Sequence, residues 1–239
     1  MAIMAAGCLA TAARWAQAAV PWVVAIDAGH TLLAPGARAA GDGRSELSFN
    51  QDLAGLIALE LSAMGARVRL ANEPPRARED FARRAGAGVG ASLFLSVHHD
   101  SAKESQLDPV DGPEGRRWED RRERFKGFSL FVDPSDAHGV VCARMVGRRL
   151  RLSGERPSLY HASADLGESR LLLDAENGVH AFPGLALSRL RKAPMVLLEA
   201  GVIVGASESA RLRDPAIVGI LAHAVAQGAL DCSRSKGAG

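Results

Sequence analysis

The chain has 239 residues, 47% of them hydrophobic and 23% charged, with a formal net charge of +2. Length and apolar content suffice for one sizeable core, and the length favours one domain over two. So mild a charge argues against nucleic acid as a partner, and no RNA-binding or helix-turn-helix signature accompanies it. Residues 1–19 are alanine-rich and apolar and close on Ala16-Gln17-Ala18, the small-residue pattern of a secretory leader. No Lys or Arg precedes the apolar run, and Arg14 comes late, so an uncleaved anchor, a start internal to a longer leader and an ordinary N-terminal helix stay open. Residues 20–232 form the body of the chain and 233–239 a polar tail. Beyond the leader two cysteines remain, Cys142 and Cys232; they either pair in an oxidising compartment or stay as separate buried thiols.

Val23-Val24-Ala25-Ile26 is too short for a helix and rich in β-branched residues, and Ala28-Gly29 ends it. It reads as a strand covered on both faces, of the kind found in parallel sheets, whose ligands lie beyond the strands' carboxyl ends. His30 therefore lands at an expected site, as a metal ligand or as an ordinary loop residue. A glycine-rich loop leads to Ser45, a candidate N-cap. From Glu46 to Met64, Phe49, Leu53, Leu56, Ile57, Leu61 and Met64 recur at helical steps. Glu46 in the first turn either complements the helix dipole or is brought beside His30 by the loop.

Arg67–Leu70 alternates as a strand, and Arg76–Gly88 reads as a charged helix. A second buried run, Leu93–Val97, ends in His98-His99-Asp100, so two strands finish in histidines at one sheet edge. Residues 101–127 are polar and mixed in charge, a surface insertion at the rim of the site that serves as a solvated face, a lid or a contact to polymeric substrate. Gly127–Val132 is a further strand, followed by a helix from about Asp136 to Leu150. One His and one Cys on that helix, His138 and Cys142, are too few for a metal site, and His161 and His180 read as surface residues. A third buried strand, Met195–Leu198, ends at Glu199. Asp214-Pro215 then caps a closing helix. Together these make a single α/β domain with a mostly parallel central sheet flanked by helices on both faces.

VVAIDAGH, a Glu at a helix start, LFLSVHHDS and the approach Ala193-Pro194-Met195 to Glu199 resemble the zinc-dependent N-acetylmuramoyl-L-alanine amidases of the Amidase_3 type, over roughly residues 21–231. In that family a strand ends in DPGH, a Glu ligates zinc, a strand ends in SIHAN or SIHAD, and a PAVLVELGF segment carries the catalytic glutamate. The resemblance implies Zn2+ held by His30, Glu46 and His98, with Glu199 as general base. Ala28 stands where the family has Pro, His99 where it has Ala, and Ala71-Asn72 where it commonly has Thr-Arg; His99 thus competes with His98 as the ligand. Asp27 either orients a ligand or only terminates its strand. The implied substrate is peptidoglycan, cut between N-acetylmuramic acid and L-alanine by a secreted, periplasmic or cell-envelope enzyme. No stable membrane span is expected in the mature protein, and an activator protein is left open. The alternatives are a zinc amidase acting on soluble muropeptides or another amide, and a non-catalytic peptidoglycan-binding module.

Overall fold

Val24, Ala25 and Ile26 are inaccessible because β1 (Val23–Ala28) lies inside a sheet, with β2 (Arg67–Leu70) on one side and β3 (Leu93–Asp100) on the other, both parallel to it. The computed structural model describes residues 22–112 and 115–235; the expected leader at 1–19 lies outside them. Seven strands order as β2-β1-β3-β9-β6-β8-β7. β9 (Met195–Val202) runs parallel to β3, whereas β6 (Ser129–Val132) is antiparallel to β9. β8 (Val179–Ala181) is parallel to β6 and β7 (Leu172–Asp174) antiparallel to β8. The sheet is thus mostly parallel and covered on both faces, as its continuous apolar runs require.

Alternation decides which helix covers which face. Val24, Ile26, Leu93, Leu95, Val97, Val196 and Leu198 point one way, into the main core. There they meet α1 (Glu46–Ala63), α3 (Ala137–Leu152) and α6 (Pro215–Ser235). Ala25, Phe94 and Met195 point the other way, into a smaller cluster with Ala85 of α2 (Phe81–Gly86) and Leu187 of α4 (Ala186–Arg189). Each fully buried large side chain contributes about 1.5–3 kcal/mol, so the α1–α3–α6 face carries most of the stability. α6 is long and apolar enough to cross a membrane, but Leu221, Val225 and Ala229 are buried in the main core. Cys142 of α3 and Cys232 of α6 are joined as a disulfide, both fully buried, which decides between pairing and separate thiols.

Two segments differ from expectation. Only 81–86 of the charged stretch is helical: Leu32 and Leu33 donate from their backbone nitrogens to the carbonyls of Arg76 and Ala77, which pins 76–77 beside the His30 loop. Asp80 then caps the shortened helix by accepting from the Arg83 N–H. The polar insertion contains an antiparallel hairpin, β4 (Asp108–Gly112) and β5 (Gly115–Glu119). Leu107, Phe125 and Trp118 tie it down against Tyr160 and Val202 in a third small core. α5 (Ala206–Arg211) meets this hairpin through Ser207, which bonds Glu119.

Candidate metal centre and its surroundings

The strand end at Ala28 turns sharply. Gly29 donates to the Val97 carbonyl at 2.9 Å, and a Cβ on Gly29 would stand 2.2 Å from the His98 ring, so only glycine admits that imidazole. His30 follows in the left-handed region, φ 75°, which non-glycine residues rarely adopt. Asn72, beyond the end of β2, holds it there by donating to the carbonyls of Ala28 (2.7 Å) and His30 (2.8 Å). Arg83 supports that residue from behind, through the Ala71 carbonyl and the Asn72 amide oxygen. The strained backbone of His30 is thus fixed by its surroundings, as strain at functional sites generally is.

Glu46 reaches the same point because the intervening loop folds back. Its N–H donates to the Ala37 carbonyl, and its Oε2 accepts from the Ala37 N–H at 3.1 Å. Gly36, at φ 78°, leaves room for that carboxylate; a Cβ there would lie 2.3 Å from Oε2. The other oxygen, Oε1, accepts from His30 Nε2 at 2.8 Å and His98 Nδ1 at 3.1 Å. Burial opposes ionisation of Glu46, but the hydrogen bonds from His30 and His98 prevail and hold the carboxyl well below its usual range. The three ligand atoms lie within 4.8 Å of one another, and two imidazoles with one carboxylate suit a zinc ion. Of the adjacent histidines it is His98 that joins this group. His99 points to the opposite face, onto Phe49 and Asn50, with Nδ1 2.8 Å from Asn50 Oδ1; burial pushes its pKa down to about 3. Its backbone N–H still donates to Glu46 Oε1.

Asp27 does not touch a ligand. Its fully buried carboxylate accepts from Arg84 Nε (2.7 Å), Arg84 Nη2 (2.5 Å) and the Ser96 hydroxyl (2.7 Å). Arg84 continues to Glu79 at 2.7 Å, so β1 and α2 are tied by charge, and β3 joins them through the Ser96 hydroxyl.

Glu199 is the register partner of His98 on the neighbouring strand, which directs both side chains to one face. Among the described residues its Oε2 has no hydrogen-bond partner. Burial first, then the carboxylates of Asp100, Glu46 and Glu168, push its pKa well above the carboxylate range. Beyond it lies a network the sequence did not foretell. Asp100 Oδ2 accepts from the Tyr160 hydroxyl (2.5 Å) and His161 Nε2 (2.7 Å), and His161 Nδ1 bonds Glu168 at 2.9 Å. Arg170 in turn pairs with Glu168 and lies 3.6 Å above the Phe182 ring. His161 and His180, expected at the surface, are 5% and 0% exposed. Both pack against Phe131, which lies far away in sequence, so no local pattern announces their burial. A second metal-capable group, His138 with Cys142 and Cys232, is closed by the disulfide, which leaves neither sulfur as a thiolate.

Similarity to known proteins agrees with this arrangement. The Amidase_3 family, described as N-acetylmuramoyl-L-alanine amidase, matches residues 24–231. No curated protein matches the chain. Among solved structures, the N-acetylmuramoyl-L-alanine amidase from Clostridium difficile 630 superposes with a TM-score of 0.68 at 18% identity, covering 90% of this chain and 98% of that one. Ami1 from Mycobacterium smegmatis gives 0.68 at 18% identity, covering 90% and 97%. The CwlD amidase from Clostridioides difficile, in complex with the GerS lipoprotein, gives 0.65 at 15%, covering 90% and 99%. At these identities the structures testify to the fold alone, while the family match spans β1 to α6 and every residue of the candidate centre: the chain belongs to the Amidase_3 family of N-acetylmuramoyl-L-alanine amidases.

Proposed function

We propose that this cell-wall amidase hydrolyses the bond between the lactyl group of N-acetylmuramic acid and the L-alanine of the stem peptide, using zinc held by His30, Glu46 and His98 and Glu199 as general base. The observation that carries the proposal is the convergence of two imidazoles and a carboxylate within 4.8 Å beside a half-buried glutamate whose inaccessible Oε2 has no partner among the described residues. When bound, zinc would polarise the scissile carbonyl and acidify a water toward a pKa of ~7.

The chain's own residues do the rest. Glu199 accepts the proton that the attacking water loses and returns it to the alanine nitrogen as the amide breaks. The unpartnered Oε2 leaves a carboxylate oxygen open to take that proton. Gly29 and Asn72 keep His98 and His30 in place, and Asn50 and the His99 N–H steady Glu46. An envelope location is part of the proposal, supported by the chemistry of the substrate and by a buried disulfide suited to an oxidising compartment. Because CwlD is found with a lipoprotein, an activating partner is a further element of this reading.

The test is zinc content of the purified protein by elemental analysis, together with digestion of purified peptidoglycan and mass analysis of the products. Near-stoichiometric zinc and free stem peptides beginning at L-alanine are expected. Zinc with activity only on soluble muropeptides would replace the polymer as substrate, and neither zinc nor product would leave a binding module.

A further inference from the structure

One cleft, of about 260 Å3, opens directly on the candidate centre, with His30 and His98 in its wall. Three elements supply its apolar lining: Phe81 of α2, Leu185 and Leu187 at the start of α4, and Leu197 of β9. Leu187 and Leu197 form a buried floor, and Leu197 shares its face of the sheet with Glu199, two residues on. Phe81 is 38% exposed, with the Arg84 guanidinium 5.7 Å from its ring centroid.

Besides the histidines, the charged side chains that line the cleft are Arg84 and Glu79. Neither is open to a ligand's charge, because Arg84 is divided between Glu79 and the buried Asp27. One guanidinium between two carboxylates leaves a negative charge in excess. Away from the metal position, an anionic group in the cleft would lose its water, meet that charge and find no free cation in the lining. The cleft therefore suits an uncharged, partly apolar group.

The substrate proposed above has two unlike halves. On the acyl side the carboxyl of muramic acid is consumed in the amide, so the sugar and its lactyl group carry no charge. On the amine side the stem peptide carries a carboxylate at its end and at each acidic residue. Resting on that reaction, we infer that the cleft receives the muramoyl half, and that Phe81 is a specificity-determining residue that packs on the C–H face of the sugar, with Leu185 beside it. A volume of about 260 Å3, just under the ~300 Å3 at which sites for drug-sized ligands begin, suits one such unit.

The test is titration calorimetry on the full chain, F81A, F81Y and L185A with two half-substrates: N-acetylmuramoyl methylamide, which ends at the reacting amide, and the dipeptide L-Ala-γ-D-Glu. Covering the exposed part of a Phe side chain is worth about three- to tenfold in affinity. F81A should weaken the methylamide by that factor and F81Y should retain it. L185A, altered on a different helix, should repeat the loss, and the dipeptide's affinity should be the same in all four proteins. No binding of the methylamide to wild type, equal affinity in wild type and F81A, or an equal loss of both ligands would overturn the inference. Hydrolysis of N-acetylmuramoyl-L-alanyl-γ-D-glutamate separates the two readings. Turnover with a KM that ignores F81A removes this assignment alone, whereas Phe81-dependent binding without turnover supports it and counts against the reaction.

Discussion

Replacing Arg84 with methionine tests the charged lock between β1 and α2. The side chains of Asp27 and Arg84 are 0% and 3% exposed, and the guanidinium supplies two of the three hydrogen bonds that the carboxylate accepts. R84M keeps most of the stem's volume but strands a buried carboxylate on one serine hydroxyl. Removing one partner of a buried pair costs about 3–5 kcal/mol, to which the half-open Glu79 contact adds at most ~1. For a domain of this size each kcal/mol shifts Tm by roughly 2–4 °C, so a fall of about 6–24 °C is expected by circular dichroism. The double variant D27N/R84M removes the orphaned charge and should recover at least half of the loss. A penalty below about 1 kcal/mol for R84M, or a double variant no more stable than R84M, would refute the assignment of this pair as the dominant polar tie between β1 and α2.

Other consequences can be checked separately. E199Q should bind zinc as the parent does and lose about 10²–10⁴-fold in turnover; measurable activity near wild type would dismiss Glu199 as the base. G29A drives a methyl into the His98 ring, so zinc affinity should fall at least tenfold while the far-ultraviolet spectrum is kept, and unchanged affinity would show that His98 has room to move. The Cys142–Cys232 bond spans 90 residues, and by loop entropy its loss in C142A/C232A should cost about 4–5 kcal/mol; free thiols in the denatured, unreduced protein would contradict the bond itself. Burial lowers the pKa of His180 to about 4, against ~6.5 when unfolded. The unfolded chain therefore binds the proton first on acidification. The stability tied to neutral His180 is complete above pH ~6.5 and drains away as pH falls toward about 4. H180N should lose less on going from pH 7 to 4.5 than the parent, and parallel losses would refute the burial argument.

What could be read from sequence follows from distance along the chain. β1, β3 and β9 are contiguous apolar runs that stop at a polar residue, so a local rule finds both the strands and the residues at their mouths, His30, His98 and Glu199. Glu46 was visible as the first turn of a periodic helix, although the fold-back through Ala37 that delivers it was not. The supporting residues were hidden for the same reason in reverse. Asn72 acts on His30 from 42 residues away, and Asp100 meets His161 across 61. Neither carries a local signature of burial. The helical pattern at 76–88 misled at its start because a tertiary contact to Leu32 and Leu33 outweighed propensity. The sequence leaves Asp27 between orienting a ligand and ending its strand, because its partner, Arg84, lies on a helix whose face only the fold defines.

The link between Cys142 and Cys232 also divides the chain topologically. It closes a covalent ring of residues 142–232 that contains Glu199 and the whole Tyr160–Arg170 segment, while His30, Glu46 and His98 sit on the linear arm before it. A peptide bond cut inside the ring, for instance beside the exposed Leu152 or Leu171, leaves one molecule rather than two. A cut in the arm releases a fragment from an equally small injury. In the envelope location proposed above, among proteases and without chaperones, the half of the centre assigned to proton transfer is therefore the one that survives nicking, and the vulnerable half is the one that a bound cation would hold together.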